Sequence, residues 1–151
     1  GAEARAVRRA LGERPVRFLL NRHWADGQAT SLQRAVASLP RRMAGVLFMA
    51  GDVPFVPPAH LDRVIERFWT QQPAVVWSAV GFHRMIPALF GRSAFPALLG
   101  LSGDAGGRAL VGRLGAEAVV VVPLLDLLID VDTPEAYEQA QRWLQRPVPC
   151  P

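Results

Sequence analysis

Apolar runs alternate along the chain with stretches of helical periodicity. The unbroken apolar run at residues 45–50 is typical of a strand buried on both faces, as in a parallel sheet. Apolar side chains spaced three and four residues apart instead indicate amphipathic helices, for example over residues 58–71. Applied to the whole chain, these patterns predict strands at residues 16–21, 45–50, 74–80, 118–122 and 124–131, and helices at residues 2–11, 30–39, 58–71, 93–101, 107–114 and 134–144.

Polar and proline residues mark where several of these helices begin. Thr30 or Ser31 is expected to cap the helix over residues 30–39, since both hydroxyls can accept a hydrogen bond from the first turn. Thr133 is the expected cap of the last helix, and Pro134 occupies its favoured first position. These signals predict where the two helices begin.

The order of the elements predicts the fold class. Strands and helices alternate, which favours an open, mostly parallel α/β sheet of Rossmann-like type with helices on both faces. We expect a single domain over residues 1–146 and a tail over residues 147–151. The helix at residues 2–11 precedes the first predicted strand, so the fold is expected to be truncated at its N-terminal end.

Composition excludes several classes of chemistry. All 17 basic residues are arginine, so a lysine Schiff base and a phosphate-binding Walker lysine are absent from these 151 residues. Cys150 is the single cysteine, which rules out an intrachain disulfide and a cysteine-cluster zinc site. The net charge of +4 is modest, and no apolar run approaches the length of a membrane span. We therefore expect a cytoplasmic protein with neither a nucleic-acid nor a membrane partner.

Carboxylates follow two of the predicted strands at the point where each strand ends. Asp52 follows the run at residues 45–50 through one glycine, and Asp130 and Asp132 close the run at residues 124–131. Ligands of open α/β sheets bind at the carboxyl ends of strands, and oxygen ligands suit Mg²⁺. Local explanations stay open, because Asp52 could stabilise its own turn and one late aspartate could complement the dipole of the last helix.

The polar loop at residues 21–31 leads into a helix N-terminus, where backbone N–H groups can hold an anion. A plain connection between strand and helix explains the same loop without a ligand. The histidines have no metal-ligand spacing, and no serine stands in a nucleophile elbow. Phosphate chemistry with a hard cation is the class of function that these residues favour.

Four segments, taken in their order along the chain, resemble the molybdenum cofactor cytidylyltransferases. These enzymes are MobA-like NTP transferases and have the nucleotide-diphospho-sugar transferase fold. The segments are Asn21-x-x-Trp24-x-x-Gly27-x-x-Thr30-Ser31-Leu32, Gly51-Asp52-Val53-Pro54, Leu101-x-Gly103-Asp104-x-Gly106-Gly107-Arg108 and Asp130-Val131-Asp132-Thr133-Pro134-Glu135. The family's Gly-rich opening loop lies outside this sequence. Val53 stands where the family usually has glutamine, and Met85-Ile86-Pro87 stands where it has Gly-His-Pro.

The resemblance implies a reaction and a site. The terminal phosphate of molybdopterin attacks the α-phosphate of CTP, and pyrophosphate leaves. Asp52 would hold Mg²⁺ and would form the catalytic pair with a second aspartate, for which Asp132 is favoured over Asp130. All three carboxylates are candidate metal ligands. The implied nucleotide-binding residues are Asn21, Gly27, Thr30 and Ser31, and the implied residues for the pterin-bearing substrate are Asp104 and Arg108. A molybdoenzyme or a maturation factor is the implied protein partner.

Three alternatives stay open at this point, of which the weakest, a metal-dependent sugar transferase, rests on the segment Asp130-Val131-Asp132 alone. The chain could be a non-catalytic fragment or pseudo-enzyme that acts as a binding module, because the phosphate-cradling loop is not within it. It could also be a guanylyltransferase that uses GTP, since in the family the base is selected largely by the part of the fold that precedes these residues.

Overall fold

The computed structural model describes residues 1–81, 83–110, 114, 119–123 and 130–145, except for the side chains of Arg108, Val119 and Val120. Short 3₁₀ turns lie at Trp24–Asp26, Arg92–Ala94 and Gly107–Leu110. The described helices are α1 (Ala4–Leu11), α2 (Gln28–Ala37), α3 (Pro58–Gln71), α4 (Phe95–Leu99) and α5 (Pro134–Leu144), and the described strands are β1 (Gly45–Phe48), β2 (Val75–Val80), β3 (His83–Gly91) and β4 (Val119–Pro123).

The strands form a mixed sheet in the order β1-β3-β2-β4. β3 runs antiparallel to both β1 and β2, whereas β2 and β4 are parallel. The α/β class is confirmed, but the sheet is less parallel than the sequence predicts. The reason is the short connection after Val80, which ends β2: only two positions separate it from β3, and strands joined so closely can pair only in antiparallel fashion.

Helices cover both faces of the sheet, as predicted. On one face α2 and α4 contribute Ala29, Val36 and Leu98 to a core with Trp77 and Phe90. On the other face, the buried apolar residues are Val64, Phe68, Val76, Leu89 and Val122, the first two from α3. Strand alternation divides the residues of β2 between the two cores, so a single strand anchors both layers.

The pairing of β2 with β3 is interrupted beside Trp77. Trp77 pairs with Ala88, and the next residue, Ser78, pairs with Met85. The two residues of β3 between Met85 and Ala88 therefore have no partner on β2. The Ser78 hydroxyl donates to the carbonyl of Pro87 at 2.5 Å and accepts from His60 Nε2 at 2.6 Å. Both side chains are buried, and together they hold the irregular part of β3 against α3.

Several local predictions are wrong in detail. Residues 16–21 belong to no strand, and α2 begins at Gln28 with Gly27 rather than Thr30 or Ser31 at its N-cap. The helix starts earlier because the Ala29 amide donates to the carbonyl of Gly103, 3.0 Å away. The predicted helix at residues 107–114 begins as a 3₁₀ turn over Gly107–Leu110, and Leu114 is helical, whereas residues 111–113 lie outside the described part. Most of the strand predicted at 124–131 also lies outside the described residues.

Two helix predictions are confirmed closely. α3 occupies residues 58–71 as predicted, with Pro58 at its first position. Thr133 caps α5, since its hydroxyl oxygen accepts from the Ala136 amide at 3.1 Å. Within the described ranges, no helix is long and apolar enough to cross a membrane.

Candidate metal and substrate site

The turn that follows β1 is joined to the segment that precedes α5. The Val131 amide donates a hydrogen bond to the carbonyl oxygen of Asp52 at 2.9 Å. Asp130 and Asp132 flank Val131 in sequence, so this one backbone bond brings both of their side chains beside Asp52. Residues nearly eighty positions apart along the chain therefore form one acidic cluster.

The three carboxylates can surround a single cation. Asp52, Asp130 and Asp132 each offer an oxygen atom, and these oxygens all lie within 4.8 Å of one another. A six-coordinate Mg²⁺ takes oxygens at about 2.0–2.1 Å, so small side-chain rotations would bring all three into its coordination sphere. All three carboxylates are exposed, which leaves room for water or substrate oxygens as further ligands. The donor set therefore fits a hard divalent cation.

Like charges meet in this cluster. Two effects raise the pKa of Asp130 above the ordinary value of a carboxyl group. The larger is partial loss of solvation, and the smaller is the negative charge of Asp132 and Asp52. A divalent cation bound among the three would remove the repulsion between them. The electrostatics of the cluster thus favour a cation more than they favour three free carboxylates.

An open cleft of about 600 Å³ extends from the acidic cluster. Asp52 and Asp130 are among its lining residues, as are Asp104 and the backbone of Gly106 and Gly107. Gln28, the first residue of α2, also lines the cleft. The apolar part of the lining is Leu32, Phe48, Ala50, Val53, Trp77, Met85, Ile86 and Phe90.

The start of α2 and the glycine-rich turn are in direct contact. Gly27 has φ +107°, and a Cβ added there would overlap the carbonyl group of Gly103. Glycine is needed at position 27 both for its backbone conformation and for this close approach. The contact, with the bond from the Ala29 amide to Gly103, fixes the turn that carries Asp104.

The remaining nucleotide-binding candidates form a separate network. Buried Asn21 donates to the hydroxyls of Thr30 at 2.8 Å and Ser31 at 3.0 Å, and its Oδ1 accepts from the His23 amide. Asn21, Thr30 and Ser31 do not line the cleft; Asn21 and Thr30 line a neighbouring depression with Arg34. These bonds hold the loop ahead of α2, and a role in nucleotide binding stays a prediction for them and for Gly27.

Of the two residues predicted to contact the second substrate, Asp104 lines the cleft. Arg108 lies in the 3₁₀ turn Gly107–Leu110, and its side chain is outside the described part. Sequence reasoning did not single out Gln28 or Trp77, which also line the cleft. No local pattern marks either residue, because each reaches the cleft only through packing between distant segments.

Comparison with known sequences identifies a family. The model of the MobA-like NTP transferase domain matches residues 1–119. Purine catabolism protein PucB of Bacillus subtilis is 32% identical over 119 residues, which are 77% of this chain. The chain spans 57% of the length of PucB.

Comparison with solved structures agrees with this assignment. Rv0371c from Mycobacterium tuberculosis H37Rv superposes with a TM-score of 0.70 at 28% identity, covering 92% of this chain and 71% of that protein. The manganese complex of Rv0371c gives a TM-score of 0.61 at 31% identity, over 72% of this chain and 57% of that one. Molybdopterin-guanine dinucleotide biosynthesis protein A from Archaeoglobus fulgidus shares the fold, with a TM-score of 0.70 at 17% identity over 93% of this chain and 74% of its own.

Proposed function

Since the chain belongs to the MobA-like NTP transferase domain family, we propose that it carries the metal and acceptor half of a nucleotidyltransferase. In this reaction a terminal phosphate oxygen of a molybdopterin-type acceptor attacks the α-phosphorus of a nucleoside triphosphate. The bond between the α-phosphorus and the bridging oxygen breaks, and pyrophosphate leaves. CTP as donor and Mg²⁺ as metal are the specific form of the proposal, and GTP is the alternative donor.

The acidic cluster carries this proposal. Nucleotidyl transfer needs little covalent help from a protein, so positioning and charge neutralisation supply most of the catalysis. A metal bound by Asp52, Asp130 and Asp132 would neutralise charge on the transferred phosphoryl group and the leaving pyrophosphate. The manganese complex of a relative with 31% identity supports a divalent cation in this family.

The chain's own residues supply orientation. The backbone bond between Val131 and Asp52 holds together the two segments that carry the three carboxylates. The apolar lining and the turn around Asp104 offer a surface for the ring system of a substrate in the same cleft. A substrate that spans the cleft would place its phosphate at the carboxylates and its ring against this wall.

The remaining parts of the proposal concern the setting of the reaction. The chain spans 57% of the length of PucB, and the proposal assigns no triphosphate contact to a particular residue of this chain. A cytoplasmic location and a molybdoenzyme or maturation factor as the recipient of the product belong to the same proposal. The binding-module alternative predicts ligand binding without transfer.

Calorimetric titration with CTP and with GTP, each with and without Mg²⁺, tests the proposal. We expect nucleotide binding that depends on Mg²⁺ and is lost in Asp52→Asn, because the amide removes one anionic ligand. Asp62→Asn is the matched control, since Asp62 is an exposed carboxylate of α3 outside the cluster. Equal, metal-independent binding by all three proteins would overturn the assignment of the metal site.

A further inference from the structure

The segment that follows α1 exposes both apolar side chains and backbone groups. Residues 16–20 have the pattern of a strand but pair with no described strand. Val16 is 49% exposed and Leu20 is 53% exposed. No backbone amide or carbonyl of residues 17–20 makes a hydrogen bond to another described residue. A segment of this kind can accept a further strand along its edge.

α1 and this segment together form a largely apolar groove of about 320 Å³, which we call the N-terminal groove. Its apolar lining includes Val7 of α1 together with Phe18, Leu19 and Leu20. No residue of α1 is buried, so the helix leaves much of its own apolar surface uncovered. The guanidinium carbon of Arg8 lies 5.4 Å from the centre of the Phe18 ring, a cation–π contact that joins the helix to the segment.

The positive charge of the protein is concentrated around this groove. The first 22 residues contain six arginines and two glutamates, whereas the rest of the chain contains eleven basic and eleven acidic residues. The whole net charge of +4 therefore belongs to this part of the chain. The side chains of Arg5, Arg9 and Arg22 make neither a hydrogen bond nor an ion pair with any described residue. These arginines are available to the carboxylates of a partner.

A second depression continues the same kind of surface. Phe18, Leu19 and Leu20 also line a cavity of about 450 Å³, to which Arg22 and Arg34 contribute. Among the described residues, no carboxylate lines this second cavity. A ligand that contacts the segment therefore meets apolar side chains and arginines together.

We infer that the N-terminal groove and residues 17–20 form a docking surface for an acidic, partly apolar segment of a partner protein, which pairs with them as a β-strand. The apolar side chains of the partner would fill the groove, its carboxylates would face the arginines, and its backbone would pair with residues 17–20. A lipid surface has no backbone to pair with, and a second copy would bring two regions of the same positive charge together. The inference does not depend on the proposed transfer reaction.

Synthetic peptides test the chemistry of the occupant. We would titrate the full chain by calorimetry with a short peptide of alternating leucine and glutamate. Two matched peptides carry lysine in place of glutamate, or serine in place of leucine. The acidic, apolar peptide is expected to bind about tenfold or more tightly than either control. Absence of binding by this peptide, or equal binding by the lysine peptide, would overturn the inference.

Backbone methylation of the peptide tests the strand pairing. The N–H groups of a strand point alternately to its two edges, so the leucine amides face one edge and the glutamate amides the other. Methylating the amides of one set should abolish binding, and methylating those of the other set should leave the affinity within about threefold. Equal effects of the two modifications, in either direction, would exclude strand pairing.

Substitutions in the protein test the location. Phe18→Ser is expected to weaken binding of the acidic peptide about tenfold, and Arg5→Glu about fivefold or more at low salt. Leu144→Ser and Arg67→Glu are the matched controls, because Leu144 is 75% exposed at the end of α5 and Arg67 is exposed on α3. Losses of the same size in the controls would overturn the assignment to this groove.

Two further measurements identify a different occupant. We expect the chain to be monomeric in sedimentation equilibrium and not to bind vesicles of phosphatidylserine and phosphatidylcholine. A dimer that Phe18→Ser dissociates would assign the groove to a second copy. Vesicle binding that Phe18→Ser abolishes, without binding of the acidic peptide, would assign it to a lipid surface. Either result would overturn the inference.

Discussion

The amide of Val131 donates to the carbonyl oxygen of Asp52 over 2.9 Å, and the two carboxylates on either side of Val131 then lie next to the carboxylate of Asp52. The geometry of the acidic cluster is therefore set by the main chain. Side chains that repel one another stay close because a backbone bond between their segments holds them there.

Removing this backbone bond should disperse the cluster. Val131→Pro eliminates the donor N–H while leaving all three aspartates in place, and we expect the affinity for Mn²⁺ to fall about tenfold or more. Val131→Ala keeps the N–H and is the matched control, with an expected change of less than about threefold. Mn²⁺ binding can be followed by electron paramagnetic resonance. Equal affinity of the two variants would show that the bond does not organise the site.

The three aspartates should contribute to one cation site. Asp52→Asn, Asp130→Asn and Asp132→Asn are each expected to reduce Mn²⁺ affinity about tenfold or more, because each replaces an anionic oxygen ligand by a neutral one. A stoichiometry of one Mn²⁺ in the wild type checks that they act together. Asp62→Asn should leave both affinity and stoichiometry unchanged; a comparable loss there would point to a general charge effect.

Gly27 should be far less tolerant of a side chain than Gly103. Gly103→Ala meets no neighbouring atom and suffers only from its φ of +59°, at about 1–2 kcal/mol. Gly27→Ala has an unfavourable φ of +107° and also overlaps the backbone of Gly103. We expect Gly27→Ala to lower the free energy of unfolding by at least about 3 kcal/mol. Urea denaturation compares the two, and similar losses would contradict the packing argument.

The buried hydroxyl of Ser78 should contribute to stability. It donates to the Pro87 carbonyl and accepts from His60, so Ser78→Ala leaves buried polar atoms without that partner and should cost about 1–3 kcal/mol. Thr70 makes a comparable bond to the Glu66 carbonyl on an exposed helix surface. Thr70→Ala is therefore expected to change stability by about 0.5 kcal/mol or less. Thermal unfolding of both variants measures the difference.

Local sequence predicted the elements whose signals are local. The stripe of apolar residues in α3, the cap at Thr133 and the apolar run that becomes β1 each depend on a few neighbouring positions. β3 was not predicted, because His83 and Arg84 at its start and Pro87 within it do not form a strand pattern. Its identity depends on pairing with β1 and β2, which a reading of one segment at a time does not reveal.

The candidate site shows the same division. Carboxylates at strand ends were visible in the sequence, and the structure brings the three of them together. The position of Gln28 in the cleft was not visible, since it follows from the packing of Gly27 on Gly103 more than seventy residues away. Contacts between distant backbone segments decide which side chains line the cleft, and neither hydrophobic periodicity nor helix-capping signals predict such contacts.

Ile86 and Pro87 stand opposite no residue of β2. Deleting both would preserve the alternation of faces along β3, because two residues make one full period of a strand. The shortened hairpin would pair without interruption, and Ser78 would lose the carbonyl that it binds, while the cleft would lose part of its wall. Uninterrupted hairpin pairing and the shape of the cleft wall are thus competing uses of the same two positions.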